Sequence, residues 1–290
     1  MKNETILLVG HGSREQRGNQ EIEFFAEQWR SRQPQLNIEV CFIEFAETLV
    51  EEGLSKAAQR GGRVVVVPLI LNAAGHVKME IPEHLEQARL RYPAVEFVYC
   101  PHLGANTQIL AILKRNLAHA LVQLDMPDPH NTGIVLLGRG SSDRVANGEV
   151  AKMARWLYEE GEHPWVDIAF TGITYPRLES VVQRQVKLEV RQIVVLPFYL
   201  FTGTLIERIR RQVHALEIQY PQVRFALSGY FGFEEEIYAL LEQRIREATD
   251  PTAHRMMECD GCKYREFSAE HGQGGHVHDH DHPPVVASVQ

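Results

Sequence analysis

The chain has 290 residues and a mass of 33.1 kDa, long for one domain and suited to two of ordinary size. Hydrophobic residues make up 44% and charged residues 23%, which excludes wholesale disorder, and no run nears the ~18 uninterrupted apolar residues of a membrane-spanning helix. A net charge of −8 argues against a nucleic-acid partner, because phosphate binding needs an excess of Lys and Arg. Met1 to Glu4 lead straight into apolar Ile6–Val9, with no basic start and no small-residue cleavage site. The expectation is a cytoplasmic protein without export signal or membrane partner.

In chain order, short apolar runs alternate with amphipathic stretches, the pattern of βαβ units around a parallel sheet. A strand over Thr5–Val9 is followed by the loop Gly10-His11-Gly12-Ser13-Arg14 and a helix over Asn19–Arg32. A second strand, Glu39–Phe45, brings Glu44 to its end and Glu47 into the next loop, before a helix over Leu49–Gln59 stopped by Gly61-Gly62. The third strand, Arg63–Leu69, contains Val64–Val67, a continuous β-branched run suited to a strand covered on both faces. After it come Asn72-Ala73-Ala74-Gly75-His76, Glu80 one turn on, and a helix over Ile81–Arg91 ended by Tyr92-Pro93. A strand at Glu96–Cys100 and a helix at Asn106–Leu124 complete the unit, and Met126–Asn131 forms a proline-containing link.

A shift of 128 positions then lays the chain on itself. Leu8–Ser13 falls on Leu136–Ser141, Asn19 and Glu21 on Asn147 and Glu149, Tyr92–Phe97 on Tyr220–Phe225, and Val64–Leu71 on Ile193–Leu200 after a one-residue slip. Two homologous halves are therefore expected, residues 1–128 and 129–250, each a three-layer α/β domain with a small parallel sheet flanked by helices. Residues 251–290 lose apolar periodicity and predict a disordered tail. Five histidines stand in its last twenty residues, His271, His276, His278, His280 and His282, interleaved with Gly and Asp; they read as weak metal-storage sites. Cys259 and Cys262 form a CxxC in the same tail, a spacing for metal, cluster or redox chemistry, whereas Cys41 and Cys100 fall in strands and read as buried thiols.

Ligands of open α/β sheets bind beyond the carboxyl ends of the strands. His11 and His76, each flanked by glycine, Glu44, Glu47 and Glu80, and more weakly His102, occupy such positions. A single histidine of this kind is commonly a loop residue with a satisfied hydrogen bond. Two at neighbouring strand ends, with carboxylates close by, suit a divalent transition metal and a proton acceptor. The second half serves as an internal control: Arg139 stands where His11 stands, Thr204 for His76, Tyr175 for Glu47 and Arg208 for Glu80. The expectation is one metal site in the first half facing an anion-binding second half, with Arg14, Arg139, Arg208 and Arg210 as candidate anion contacts.

The segments LLVGHGSR, IEFAE and VVPLILNAAGHVKMEIP resemble the sirohydrochlorin cobaltochelatases and ferrochelatases, class II chelatases of the CbiX and SirB type, in the long form that carries two chelatase-like halves. The resemblance implies insertion of a divalent metal into sirohydrochlorin with release of two protons, cobalt favoured by the tail and iron the alternative. It makes His11 metal ligand and proton acceptor and His76 the second ligand. Glu47, Leu71, Asn72, Ala73, Ala74, Gly75 and His76 become tetrapyrrole contacts, with Arg139 meeting a substrate carboxylate. It further links Cys259 and Cys262 to an iron–sulfur centre. Two cysteines are half of the usual four ligands, so either a monomer or a tail-linked homodimer is expected. Two rivals stay open from the residues alone: phosphoryl transfer with His11 as nucleophile, and a non-enzymatic metal or tetrapyrrole carrier.

Overall fold

The β-branched run at Val64–Val67 forms the interior of a central strand whose valines are all fully buried. Around it a computed structural model describes residues 4–124 and 126–249. In chain order the first half consists of β1 (Glu4–Gly10), α1 (Gln16–Arg32), β2 (Asn37–Phe42), α2 (Val50–Gln59), β3 (Arg63–Pro68), a π-helical turn (His76–Glu80) running into α3 (Ile81–Arg91), β4 (Glu96–Tyr99) and α4 (Thr107–Leu121). After a short 3-10 turn at Pro129–Asn131, the second half repeats it as β5 (Thr132–Gly138), α5 (Arg144–Glu159), β6 (Trp165–Phe170), α6 (Leu178–Lys187), β7 (Gln192–Pro197), α7 (Thr204–Gln219), β8 (Arg224–Leu227) and α8 (Glu235–Thr249). The two four-stranded sheets have the same order, β2-β1-β3-β4 and β6-β5-β7-β8, and every pairing is parallel. The one-residue slip in the repeat is structural: Thr5 pairs with Val64, while Gly133, its counterpart, pairs with Ile193.

Each sheet is covered on both faces, as expected, but the inner layers are shared between the halves. Helices α2 and α3 cover the outer face of the first sheet, and α6 and α7 that of the second. On the inner faces, α1 lies on β1 and β2 and α5 on β5 and β6, whereas α4 packs on β7 and β8 and α8 on β3 and β4. The last helix of each half thus seats on the other half's sheet, and a single central core runs from Ile6 and Val65 through Ile109 and Leu113 to Leu136 and Leu241. In α4 alone Ile109, Leu110, Ile112 and Leu113 are at most 3% exposed, and burying each such side chain contributes roughly 1.5–3 kcal/mol.

Three boundaries differ from the sequence pattern by three residues. Strand β2 ends at Phe42 rather than Phe45, because β1, its partner, ends at Gly10. The chain beyond still follows its neighbour, Ile43 N–H donating to Gly10 O at 3.0 Å and Glu44 N–H to His11 O at 3.1 Å, until Phe45 turns it away at φ 53°. Helix α1 begins at Gln16, three residues earlier than its apolar periodicity suggests, which places Asn19 inside the helix. Helix α4 ends at Leu121 with Val122 as its C-cap. Both sequence-flagged thiols are buried: Cys41 and Cys100 are 0% exposed, and desolvation pushes each thiol's pKa up. Such groups pack as small hydrophobes.

Candidate active site

The first strand of each half runs into a tight loop that is held from below by one asparagine. Asn19 Oδ1 accepts from Ser13 N–H at 2.8 Å and its Nδ2 donates to Ser13 O at 3.1 Å. Asn147 repeats both bonds on Ser141, at 2.9 and 2.7 Å. A third bond, Asn19 Nδ2 to Phe45 O at 2.7 Å, joins the β1 loop to the β2 loop. Gly12 lets the two loops touch: at φ 90° an added Cβ would sit 1.7 Å from Glu44 O, so no other residue fits. These contacts set the His11 imidazole beside the Glu44 carboxylate, with Nδ1 3.5 Å from Oε1.

His76 approaches from the loop after β3, as the first residue of the π turn. From Pro68 to Tyr92 the chain is one residue longer than from Pro197 to Tyr220. A π turn absorbs one extra residue within a helix, whereas α7 starts directly at Thr204. The wide turn aligns His76 with Glu80, Nδ1 to Oε2 at 2.9 Å, and brings the two imidazole rings to 4.6 Å, edge to face.

His11, Glu44 and His76 each offer one ligand atom, and the three atoms lie within 4.8 Å of one another. Two donors on one ion at ligand distances of about 2.1 Å can be at most about 4.2 Å apart, so closing the set around a metal needs a shift of about half an ångström. Two imidazoles and one carboxylate with an open side suit a divalent first-row transition metal.

That open side faces a cleft of about 680 Å³ between the halves. Across it stands Arg139, whose Nη1 lies 3.0 Å from His11 Nε2. A guanidinium only donates, so Nε2 is the acceptor and the His11 proton sits on Nδ1, 3.1 Å from Gly12 O. Burial, then the neighbouring His76 and Arg139, lower the His11 pKa to about 4. The imidazole is therefore neutral at physiological pH, the form that binds metal.

Of the expected contacts, His11, His76, Leu71, Asn72, Ala74, Gly75, Arg14 and Arg139 line the cleft. Arg14 also lies over the Phe45 ring at 4.8 Å. Ala73 packs into the outer core below, at 4% exposure. Glu47 is exposed in its loop and lies outside the cleft lining, where Glu44 takes the place beside the histidines. Arg208 and Arg210 lie outside the lining as well, Arg210 pairing with Glu207, and His102 offers its carbonyl to Arg244 at 3.0 Å. Cys259, Cys262 and the five tail histidines fall outside the described residues.

Sequence reasoning gave no role to three further groups. Tyr199 lines the cleft, accepts or donates at 2.8 Å to Thr171, and is pushed by burial to a pKa of about 12. Lys78, within the π turn, reaches Asp143 of the other half at 2.7 Å, with side chains 11% and 4% exposed. Asn19 and Asn147 carried a signal, since both copies keep asparagine at the same offset from the loop. Tyr199 and the Lys78–Asp143 pair are unique to one copy, so the repeat could not flag them.

The CbiX family model matches residues 5–120 and, a second time, residues 133–248. The chain belongs to the CbiX family. It is 37% identical to the sirohydrochlorin cobaltochelatase of Priestia megaterium, covering 92% of this chain and 86% of that one. It is 30% identical to the sirohydrochlorin ferrochelatase of the same organism, covering 84% and 90%. A solved structure, SirB from Bacillus subtilis with Fe3+, superposes with a TM-score of 0.75 at 30% identity, covering 89% of this chain and all of that one. Among the described residues no helix is long and apolar enough to cross a membrane.

Proposed function

We propose that this CbiX-family protein inserts a divalent metal ion into sirohydrochlorin, with cobalt as the favoured metal and iron as the alternative. The observation that carries the reading is the placement of the His11–Glu44–His76 ligand set at the wall of an interdomain cleft with Arg139 on the opposite side. The cobaltochelatase relative is more similar than the ferrochelatase relative, 37% against 30%, which supports cobalt. The first half, residues 1–128, carries the metal ligands and the second, residues 129–250, supplies the facing wall.

The metal is a substrate, so its site must bind it without trapping it. Two imidazoles and one carboxylate leave coordination positions open toward the cleft, where macrocycle nitrogens replace protein ligands one at a time. Two pyrrole protons leave as the metal enters. His11 and His76, freed as the metal transfers, accept one each in this scheme, and Glu44 at 3.5 Å from His11 and Glu80 at 2.9 Å from His76 pass them toward solvent. Leu71, Asn72, Ala74 and Gly75 shape the floor against the ring, and arginine carboxylate pairing orients the anionic periphery.

Cys259 and Cys262 extend the reading to a cytoplasmic enzyme with a cluster in its tail: two thiolates per tail leave an iron–sulfur centre to be completed by other ligands in a monomer or by a second chain in a tail-linked dimer. The tail histidines hold reserve metal near the cleft. Cobalt insertion into sirohydrochlorin, followed by the change in macrocycle absorption, is the test. His11→Ala and His76→Ala are each expected to lower turnover at least 100-fold, whereas a chain truncated after Thr252 keeps it at saturating cobalt. Near-normal insertion by either histidine variant removes that residue from the mechanism, and an inactive truncation makes the tail part of it. A carrier would bind both substrates and give no more than one product per chain.

A further inference from the structure

His11 has two ring nitrogens and, when neutral, one lone pair. In this structure that lone pair is occupied: Arg139, reaching across the cleft from the other half, donates to Nε2 at 3.0 Å, and the proton on Nδ1 faces Gly12 O at 3.1 Å. A metal ion needs the same lone pair. If it binds at Nε2 it displaces the guanidinium directly. If it binds at Nδ1 the ring proton moves to Nε2, which then has nothing to accept with, and the Arg139 contact breaks all the same. A fixed positive charge about 3 Å from the ligand ring also repels a divalent cation in a partly desolvated cleft.

Among the described residues the Arg139 side chain makes no hydrogen bond or ion pair within its own half. Its carbonyl holds the loop by accepting from Gly172 N–H at 3.0 Å and from Thr171 Oγ1 at 3.3 Å, while the guanidinium projects into the cleft and lines it. The backbone can therefore stay fixed while the side chain changes partner. A carboxylate takes a guanidinium through two parallel charge-assisted bonds, a stronger interaction than one bond to a neutral imidazole.

We propose that Arg139 is a substrate-operated gate on the metal ligand His11. In the empty cleft it caps the imidazole and weakens metal binding; a carboxylate of the entering tetrapyrrole draws it away and releases the lone pair. Metal and macrocycle then bind with positive coupling. Such couplings typically amount to about 5–150-fold in affinity and act equally in both directions. The gate rests on the chelatase reading for the identity of its anion, but its effect on metal binding stands without it.

The test compares cobalt affinity of the full chain without macrocycle, by calorimetry, in the native protein, Arg139→Gln and Arg139→Lys. Removing a residue from a metal cleft ordinarily leaves affinity unchanged or lowers it. Here Arg139→Gln is expected to tighten cobalt binding at least five-fold, and Arg139→Lys, which keeps the charge without the forked geometry, to fall between. The reverse arm uses metal-free protein and sirohydrochlorin. His11→Ala frees the guanidinium and tightens macrocycle binding, while the same change in the Arg139→Gln background has no such effect. Equal or weaker cobalt affinity in Arg139→Gln overturns the gate. If instead the native chain inserts no metal into sirohydrochlorin while Arg139→Gln still binds cobalt more tightly, the substrate assignment fails and the gate on His11 survives.

Discussion

In the first half the loop after β1 carries His11 and in the second the same loop carries Arg139, yet both loops are built by the same bonds. Asparagine holds each loop from α1 or α5, a glycine near φ 90° lets the next strand's loop approach, and Glu44 N–H or Gly172 N–H donates to the residue at the histidine or arginine position. What differs is the side chains on top: imidazole, carboxylate and imidazole on one side, guanidinium, hydrogen and threonine on the other. The comparison separates scaffold from chemistry. The scaffold is shared by both copies, and the ligand set is an addition made possible in the first by one more residue, taken up as the π turn that carries His76.

Severing the halves breaks the comparison most completely, because the last helix of each serves its partner. A chain cut to residues 1–128 keeps α4 but loses the sheet that α4 covers, and uncovers the inner face of β3 and β4 where α8 lay. Several buried Ile and Leu at roughly 1.5–3 kcal/mol each outweigh the 5–15 kcal/mol net stability of a typical domain. The expected product is either a non-cooperative monomer or a dimer that exchanges α4 between copies. Circular dichroism melts and light scattering distinguish them, and a monomer with a cooperative melt would show that the shared core is dispensable.

This exchange also marks where the sequence stopped being informative. Apolar runs and amphipathic stretches located the four strands and four helices of the first half, and the repeat predicted two sheets of one topology. It could not say which sheet the last helix covers, because an apolar stripe such as Ile109, Leu113 and Leu117 fits either inner face. The site was legible in the same uneven way. Glycine-flanked His11 and His76 stood out by composition and meet at 4.6 Å. Glu44 at the strand end and Glu47 in the next loop were both candidates, and the resemblance favoured Glu47 as the tetrapyrrole contact. Only the early end of β2 and the turn at Phe45 decide which carboxylate lies beside the imidazole. The Arg139–His11 contact crosses 128 positions of chain and has no local signature.

A smaller break concerns a buried ion pair that joins the π turn to the second half, Lys78–Asp143. Lys78→Met leaves the Asp143 carboxylate, 4% exposed, without its cation, and removing one partner of such a pair costs about 3–5 kcal/mol. Asp143 also accepts from Val145 N–H at 2.8 Å as the cap of α5, which places the expected loss at the lower end. Adding Asp143→Asn to Lys78→Met should return part of it. Urea melts measure both, and a loss under 1 kcal/mol for Lys78→Met would mean that this ion pair does not hold the halves together.

The pH dependence of stability sharpens the contrast between His11 and Arg139. His11 titrates near 4 in the folded chain against 6.5 unfolded, so between those values the unfolded chain binds the extra proton. Stability contributed by the neutral imidazole is whole above pH 6.5 and is lost as pH falls toward 4. At a side chain 30% exposed the effect is on the order of 2 kcal/mol after solvent screening. Relative to His11→Asn, the native chain should lose this amount between pH 6.5 and 4 in parallel urea melts. Parallel curves for the two proteins would mean that the folded imidazole titrates normally.

The finest comparison uses the two asparagines, whose bonds match within a few tenths of an ångström on Ser13 and Ser141. Replacing either by Ala removes two bonds to the serine backbone, each contributing about 0.5–1.5 kcal/mol, a shared loss near 1–2 kcal/mol, to which Asn19→Ala adds one bond more. Function should separate them. Asn19 makes the additional bond to Phe45 O at 2.7 Å, which holds the Glu44 loop against the His11 loop, and no ligand hangs from the loop of Asn147. Asn19→Ala is therefore expected to weaken cobalt binding several-fold, through a looser His11–Glu44 spacing, while Asn147→Ala acts on cobalt only through the small displacement of Arg139. Calorimetric cobalt titration of both variants beside their urea melts reads the two effects separately. Equal weakening of cobalt binding by the two would place metal affinity in the general rigidity of the paired loops rather than in the strut from Asn19 to Phe45.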